Sequence, residues 1–398
     1  MRQKARAEHA GTSMLRIRST AAVAGLVPVL AVASATGPAL ARQAAAGSVS
    51  TPPHARSAVR ASVSPYRILV SSHFGQPGNA SGYSAIVVTG RRQAWAFGGT
   101  NPGGPSRPVA EHWTGTAMTR AVLPPGLAGF ISDASAPSAT DIWAASEYGG
   151  YVLHWNGMRW YLAKRWGGMI TGLTAVSADD VWIFGASPDG NGTGTWHFDG
   201  RSWRRVAGVA AAIYRASAIS RRDIWAITAG PKSDSVLCYD GKRWQPVRTG
   251  NVLAGVVASD ILATSKRDVW VLGNEVRRGA IRLVLAHWNG ARWTRINAGL
   301  TAFAGRLSPG AHGTVLVTAT PAQASAAGLV VQINAAGQRR VTAIRSGLGS
   351  GVSAVALLGG TRMLLASGGV LTRLGGDAVI WEGRLTLRVH HRIADDDD

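Results

Sequence analysis

Short runs in which apolar and polar residues alternate cover the chain from Tyr83 onward, broken by Gly, Asn, Asp and Pro, and such period-two runs predict β-strands. Gly172-Leu173-Thr174-Ala175-Val176-Ser177 is one run (strand a); after a turn comes Asp180-Val181-Trp182-Ile183-Phe184-Gly185 (strand b). A polar loop and an aromatic strand c follow, closing at His197-Phe198-Asp199-Gly200 before strand d begins at Trp203. The same order recurs with a period of roughly forty-odd residues, the mark of a propeller or solenoid. Strand b repeats as Asp141-Ile142-Trp143, Asp223-Ile224-Trp225 and Asp268-Val269-Trp270, with a weaker first copy at Gln93-Ala94-Trp95. The turn after strand c repeats as His154-Trp155-Asn156-Gly157, Tyr239-Asp240-Gly241 and His287-Trp288-Asn289-Gly290, with outliers at His112-Trp113-Thr114-Gly115 and Trp381-Glu382-Gly383. Asn-Gly and Asp-Gly there signal a two-residue type I′ hairpin. Strand d then carries Trp160, Trp203, Trp244 or Trp293, so every sheet offers large rings on its faces for packing against neighbouring sheets.

Five clear copies and two degenerate ones, Thr314 to Arg345 with Gly337 in the turn and Val352 to Val389 with the turn at Glu382-Gly383, make seven. About 44 residues per copy suits a four-stranded blade. The expected fold is all-β: a seven-bladed β-propeller of four-stranded antiparallel blades over residues 64–391, six and eight blades being the alternatives. Tyr66-Arg67-Ile68-Leu69-Val70 is a spare strand, expected to complete the last blade and close the ring.

The pattern resembles secreted bacterial β-propeller repeat proteins grouped with the Asp-box, kelch and WD40-like families, and the resemblance spans residues 64–391. It implies the fold and leaves function open. An Asp-box reads Ser-x-Asp-x-Gly-x-Thr-Trp, whereas His154-Trp155-Asn156-Gly157-Met158-Arg159-Trp160 is one residue shorter. The Arg-Ile-Pro segment that marks sialidases of similar fold does not occur in the sequence.

Composition adds a destination and a charge. Basic residues from Arg2 to Arg18, an apolar stretch from Ala21 to Ala35 and small residues at Ala39-Leu40-Ala41 have the order of a secretory signal over residues 1–41, translation starting at Met1 or Met14. The apolar stretch is shorter than the roughly 20 residues of a spanning helix and contains Pro28, so no transmembrane span is expected in the mature form. Residues 42–63 read as a disordered linker and 392–398 as an acidic tail. The whole chain carries 42 Lys and Arg against 21 Asp and Glu. Without the leader it keeps a net charge of about +17, which favours anionic partners. Cys238 is the only cysteine, so an intramolecular disulfide is impossible.

In an up-and-down blade the a-b and c-d turns share one face and the b-c and d-a loops share the other. The first face collects Arg221, Arg222, Lys266 and Arg267 from a-b turns and Arg159, Arg201 and Arg243 from c-d turns. That makes either an anion-docking surface or a solvated rim whose cations pair with carboxylates of the Asp141 type. The second face holds Glu147, Asp189, Asp234 and Glu275 in b-c loops, with Tyr148, Trp166 and Tyr214 as exposed aromatic candidates; rings beside acids suit a sugar-binding surface. Eight residues before the Asp of each Asp-Ile/Val-Trp lie Asp133, Gly172, Arg215 and Asp260, at the start of strand a, which lines the channel. These converging polar groups are either a ligand site or a structural ion-pair ring.

His112, His154, His197 and His287 share one strand-c position on separate blades, too far apart for one metal, and are expected to act as structural hydrogen bonders. Asp189-Gly190-Asn191-Gly192-Thr193-Gly194 copies the opening of an EF-hand loop but has Gly200 at the twelfth position. No metal, cofactor or catalytic residue is assigned.

The expected function is that of a secreted, non-enzymatic, monomeric propeller, extracellular and cell-wall associated, binding an anionic envelope polymer, a glycan or a protein; nucleic acid is disfavoured. The alternatives are a propeller glycosidase or polysaccharide lyase, needing paired acids, and a structural surface protein without a dedicated ligand.

Overall fold

The computed structural model describes residues 66–385 except 75–79, 102–105, 186–191, 207–212, 229–234, 324–325 and 374. The leader, linker and acidic tail inferred above lie outside the described residues. The described chain is all β, with 28 strands. Five sheets have four strands each in simple a-b-c-d order; the remaining eight strands form one sheet. That larger sheet is two blades joined by a single parallel bridge, Ala80 to Gly376. One is blade one, its strands a and b being Ala80–Gly90 and Gln93–Asn101. The other is blade seven, Gly349–Leu357, Met363–Thr372 and Gly375–Arg384, whose fourth strand is Arg67–Ser72 from the other end of the chain. The innermost strands of successive blades lie side by side all the way round, Gly349–Leu357 beside Ala80–Gly90 included. Seven blades therefore close one ring, and the N-terminal strand fastens it.

The repeated Asp-x-Trp has a physical reason. Asp180 Oδ1 accepts the indole N–H of Trp182 at 2.8 Å and a ring N–H of His197 at 2.9 Å. Asp268 does the same for Trp270 (2.7 Å) and His287 (2.8 Å). Asp141 serves Trp143 at 3.0 Å and His154. In blade four Cys238 replaces the histidine, with Asp223 still accepting from Trp225 at 2.9 Å. His154 and His197 stack on their tryptophans and His287 lies tilted against Trp270; the Trp143 and His154 ring centroids are 3.8 Å apart and 9° from parallel. His154, His197 and His287 meet the expected role, each bonded to the carboxylate oxygen that also accepts the buried indole N–H. The His112 ring instead stacks on Trp95 and forms no hydrogen bond among the described residues, because blade one has Gln93 in place of the aspartate.

With its N–H satisfied, the tryptophan face is free to pack between blades. Trp143 meets Phe198 and Trp203 of blade three, Trp182 meets Tyr239 and Trp244 of blade four, and Trp225 meets Trp293 of blade five. Side chains also stitch the inner strands together: Ala175 donates its N–H to Ser135 Oγ and Ala263 to Ser217 Oγ.

Three expectations need correction. Trp381-Glu382-Gly383 is not a turn: it lies inside strand c of blade seven, with Arg67 opposite Glu382, because strand d arrives from the N-terminus and no c-d hairpin is needed. Glu275 is not in a loop but within strand b, Asp268–Arg277, paired with Arg295 at 3.0 Å. The c-d hairpins are where expected, but their turns are not type I′. Gly157 has φ +88°, whereas Asn156 is not among the residues with positive φ, and its Oδ1 accepts the N–H groups of Met158 and Arg159 at 3.1 and 3.0 Å. The turn therefore spans four residues, Asn156 to Arg159, because the Asn side chain caps it.

Candidate functional site

Two regions gather polar side chains: the channel mouth on the b-c and d-a face, and the rim of the a-b and c-d face. At the mouth, Asp133, Arg215 and Asp260 each lie opposite the residue two past the strand-b tryptophan, namely Ala145, Ile227 and Leu272. Three blades thus place these side chains at one level of the inner wall. Gly172 takes that level in blade three. With no side chain between them, Arg215 of blade four reaches Asp133 of blade two at 2.8 Å. A residue absent from the expected set completes the group. Arg306 of blade six donates to the Ser132 carbonyl at 3.0 Å and lies 3.8 Å from Asp133. Its position is also eight residues before a strand b, but blade six reads Thr314-Val315-Leu316, so counting back from Asp-x-Trp passed over it.

The acids here are engaged. Asp133 Oδ2 accepts the Leu173 N–H at 3.0 Å and Asp260 Oδ2 the Leu307 N–H at 2.7 Å, each tying a blade to its successor. Burial pushes the Asp260 carboxyl up, opposed by Arg306 and Arg215. Burial also raises Glu147, against the pull of the same two arginines, and lowers Arg215. Two guanidiniums and three carboxyls from blades two, four, five and six thus form a buried charge network across the channel. Such a network is held by mutual pairing, and removing one member leaves the others uncompensated.

The aromatic candidates separate. Tyr148 is exposed, 64%, with its ring 6.0 Å from Phe130. Trp166 is not an exposed platform: it packs edge-on against Trp203 and Trp196 at 5.1 and 5.9 Å because the d-a connection folds over the blade junction. Tyr214 is half-buried and donates its hydroxyl to the Ala258 carbonyl, so it too ties blades together. Asp189, Asp234 and the opening of the EF-hand-like segment lie outside the described residues.

On the opposite face Arg159, Arg201, Arg221, Arg222, Arg243, Lys266 and Arg267 are all exposed. Two of them follow the rim-pairing pattern. Arg221 lies 3.5 Å from Asp180 and from Asp179, and Lys266 lies 3.8 Å from Asp223, each cation reaching back to the preceding blade. Arg159, Arg201, Arg222, Arg243 and Arg267, joined by Arg292, form no ion pair among the described residues. The aliphatic stems of Arg222 and Arg267 cover Gly241 and Gly290, leaving the guanidiniums toward solvent.

A closed ring of four-stranded blades carrying a stapled channel mouth is a β-propeller, and known structures agree. The chain is similar to YCF48 bound to D1 peptide (TM-score 0.55, 12% identity, 83% of this chain and 98% of that one). It is similar to U3-55K (0.56, 11%, 80% and 98%). It is also similar to a catalytically inactive virginiamycin B lyase from Staphylococcus aureus with quinupristin (0.54, 10%, 81% and 100%). No protein-family model and no curated protein matches the sequence. At such identities the likeness establishes the fold alone. Among the described residues no helix is long and apolar enough to cross a membrane.

Proposed function

We propose that this chain is an exported, non-catalytic propeller that binds an anionic polymer of the cell envelope through its a-b and c-d face. The observation that carries the proposal is the set of exposed guanidiniums Arg159, Arg201, Arg222, Arg243, Arg267 and Arg292, none of which lies within ion-pair distance of a carboxylate among the described residues, although Arg243 helps hold Asp240 of its own turn below the ordinary carboxylate range. Repeated at equivalent turns, they present spaced positive charge of the kind a repeating polyanion matches. The channel mouth supports the non-catalytic part. A glycosidase needs a pair of working carboxyls, and here Asp133 is occupied by arginine and a backbone N–H and Asp260 by backbone N–H groups, which leaves Glu147 alone without such partners among the described residues. Export is proposed from the leader pattern, and N-terminal sequencing of secreted material beginning near Arg42 tests it.

The binding test is retention on an immobilised anionic polysaccharide across a salt series. Exposed charges are screened beyond about 8 Å at physiological ionic strength, so retention falls steeply with salt. Changing Arg159, Arg201, Arg222, Arg243 and Arg267 together to Glu abolishes retention without changing the unfolding midpoint by more than a few degrees. Retention that is indifferent to salt, or equal for the reversed protein, overturns the proposal.

A further inference from the structure

Rim pairs occur at two of the four junctions whose leading blade carries an Asp-x-Trp aspartate. In blade four the a-b turn Arg221-Arg222 supplies Arg221 to Asp180 of blade three; in blade five Lys266-Arg267 supplies Lys266 to Asp223 of blade four. Each cation is the first residue of its turn, and each answers the buried aspartate of the preceding strand b. In blade two the turn is Ala139-Thr140, and the preceding blade has Gln93 instead of an aspartate, so no cation is required. Blades three and six lack the cation although the preceding blade carries an aspartate. Blade six turns through Gly310-Ala311-His312-Gly313, and there Asp268 Oδ2 accepts the Thr264 hydroxyl of its own blade, whereas blade three turns through Ala178-Asp179 after Asp141.

The consequence is visible at Asp141. Its residue is 8% exposed, Oδ1 accepts from Trp143 and His154, and Oδ2 is buried with no hydrogen-bond partner among the described residues. Asp223 Oδ2 also lacks a hydrogen bond, but the Lys266 ammonium stands 3.8 Å from it. Where Ala178 leaves the cation out, the surface has a depression of about 530 Å³, lined by Ser138, Asp141, His154, Asn156, Ser177 and Ala178 among others. A buried carboxylate oxygen without a partner is costly, and a cation that reaches it recovers that cost. The a-b turns beside it, Ala139-Thr140 and Ala178-Asp179, carry no positive charge, and the cation of this sector is Arg159 in the c-d turn of blade two.

We infer that the notch between blades two and three is a docking site for an arginine or lysine side chain of a polypeptide partner, which takes the place that Arg221 and Lys266 fill from within the chain at the next two junctions. The inference is separate from the binding of an anionic polymer by the exposed arginines. A cationic side chain is favoured because its chemistry already occupies the equivalent place twice.

The test uses the full chain and blocked arginine, N-acetyl-arginine amide, with the neutral blocked citrulline as control. Titration is followed by the indole N–H resonance of Trp143, which shares Asp141 with the notch. Blocked arginine shifts that resonance saturably and citrulline does not. Ala178→Arg supplies the cation in cis: it raises the unfolding midpoint by about 2 °C or more and weakens blocked-arginine binding at least tenfold. The same variant keeps salt-dependent retention on the anionic polysaccharide, so the two proposals fail separately. If arginine and citrulline act alike, or if Ala178→Arg neither stabilises the protein nor competes, the notch takes no cation and His154 alone compensates Asp141.

Discussion

Replacing Asp180 by Ala tests the account of the repeat most directly. The side chain is almost wholly buried and is shared by Trp182, His197 and Arg221. Its removal strands the Trp182 indole N–H inside the blade junction, which costs about 1–3 kcal/mol. The charge-assisted bond to His197 contributes about 1.5–3 kcal/mol more, and the exposed Arg221 no more than about 1 kcal/mol. The expected total lies between about 2.5 and 7 kcal/mol, a large share of the stability of any domain. Trp182→Phe is the control: it keeps a ring against Tyr239 and Trp244 but removes the N–H. In the double variant the stranded donor no longer exists, so the cost falls short of the summed single costs by about 1 kcal/mol or more. Urea unfolding followed by circular dichroism gives all three values. Strict additivity, or a cost below about 1 kcal/mol for Asp180→Ala, would refute the claim that the carboxylate is there to satisfy the tryptophan.

Two further outcomes follow from the same geometry. Trp225→Ala leaves an inter-blade cavity facing Trp293 and costs about 3–5 kcal/mol, read as a lowered unfolding midpoint; an unchanged midpoint contradicts its packing role. Asp268 is held below the ordinary carboxylate range, first by the hydrogen bond from His287. The folded chain therefore binds fewer protons there than the unfolded chain, so the contribution is present above about pH 4 and is lost as pH falls through the lowered value. Asp268→Asn accordingly destabilises more at pH 6 than at pH 3, and equal losses at the two pH values count against the pairing.

Legibility in the sequence followed locality. The period, the strand order and the hairpin positions were readable because each depends on residues within one unit, and Gly157, Gly200, Gly241 and Gly290 have the positive φ their turns require. Closure by Arg67–Ser72 was readable as well, since one strand was left over once the units were counted. What escaped was tertiary. Trp381-Glu382-Gly383 looks like its counterparts in other blades, and only the arrival of a strand from the far end of the chain keeps it extended. Trp166 has the sequence neighbourhood of a loop residue and the surroundings of a core residue. Arg306 went unseen because blade six replaces the Asp-x-Trp landmark with Thr314-Val315-Leu316, although its place in the inner strand is unchanged. A search anchored on the strand positions themselves, and not on the motif, would have found it.

The basic face illustrates why net charge alone is a poor guide to a binding surface. Arg221 and Lys266 contribute to the positive total, yet their positions answer the buried Asp180 and Asp223, which exist to satisfy tryptophans. Reversing Arg221 to Glu places a second negative charge against Asp180, whose side chain is only 6% exposed, so the variant loses stability before binding is ever measured. A loss of retention in such a variant would then be credited to the wrong cause. Arg159, Arg201, Arg222, Arg243 and Arg267 have no such duty among the described residues. The division of the cations into those that complete the fold and those that do not is therefore what makes the surface experimentally separable from the core beneath it.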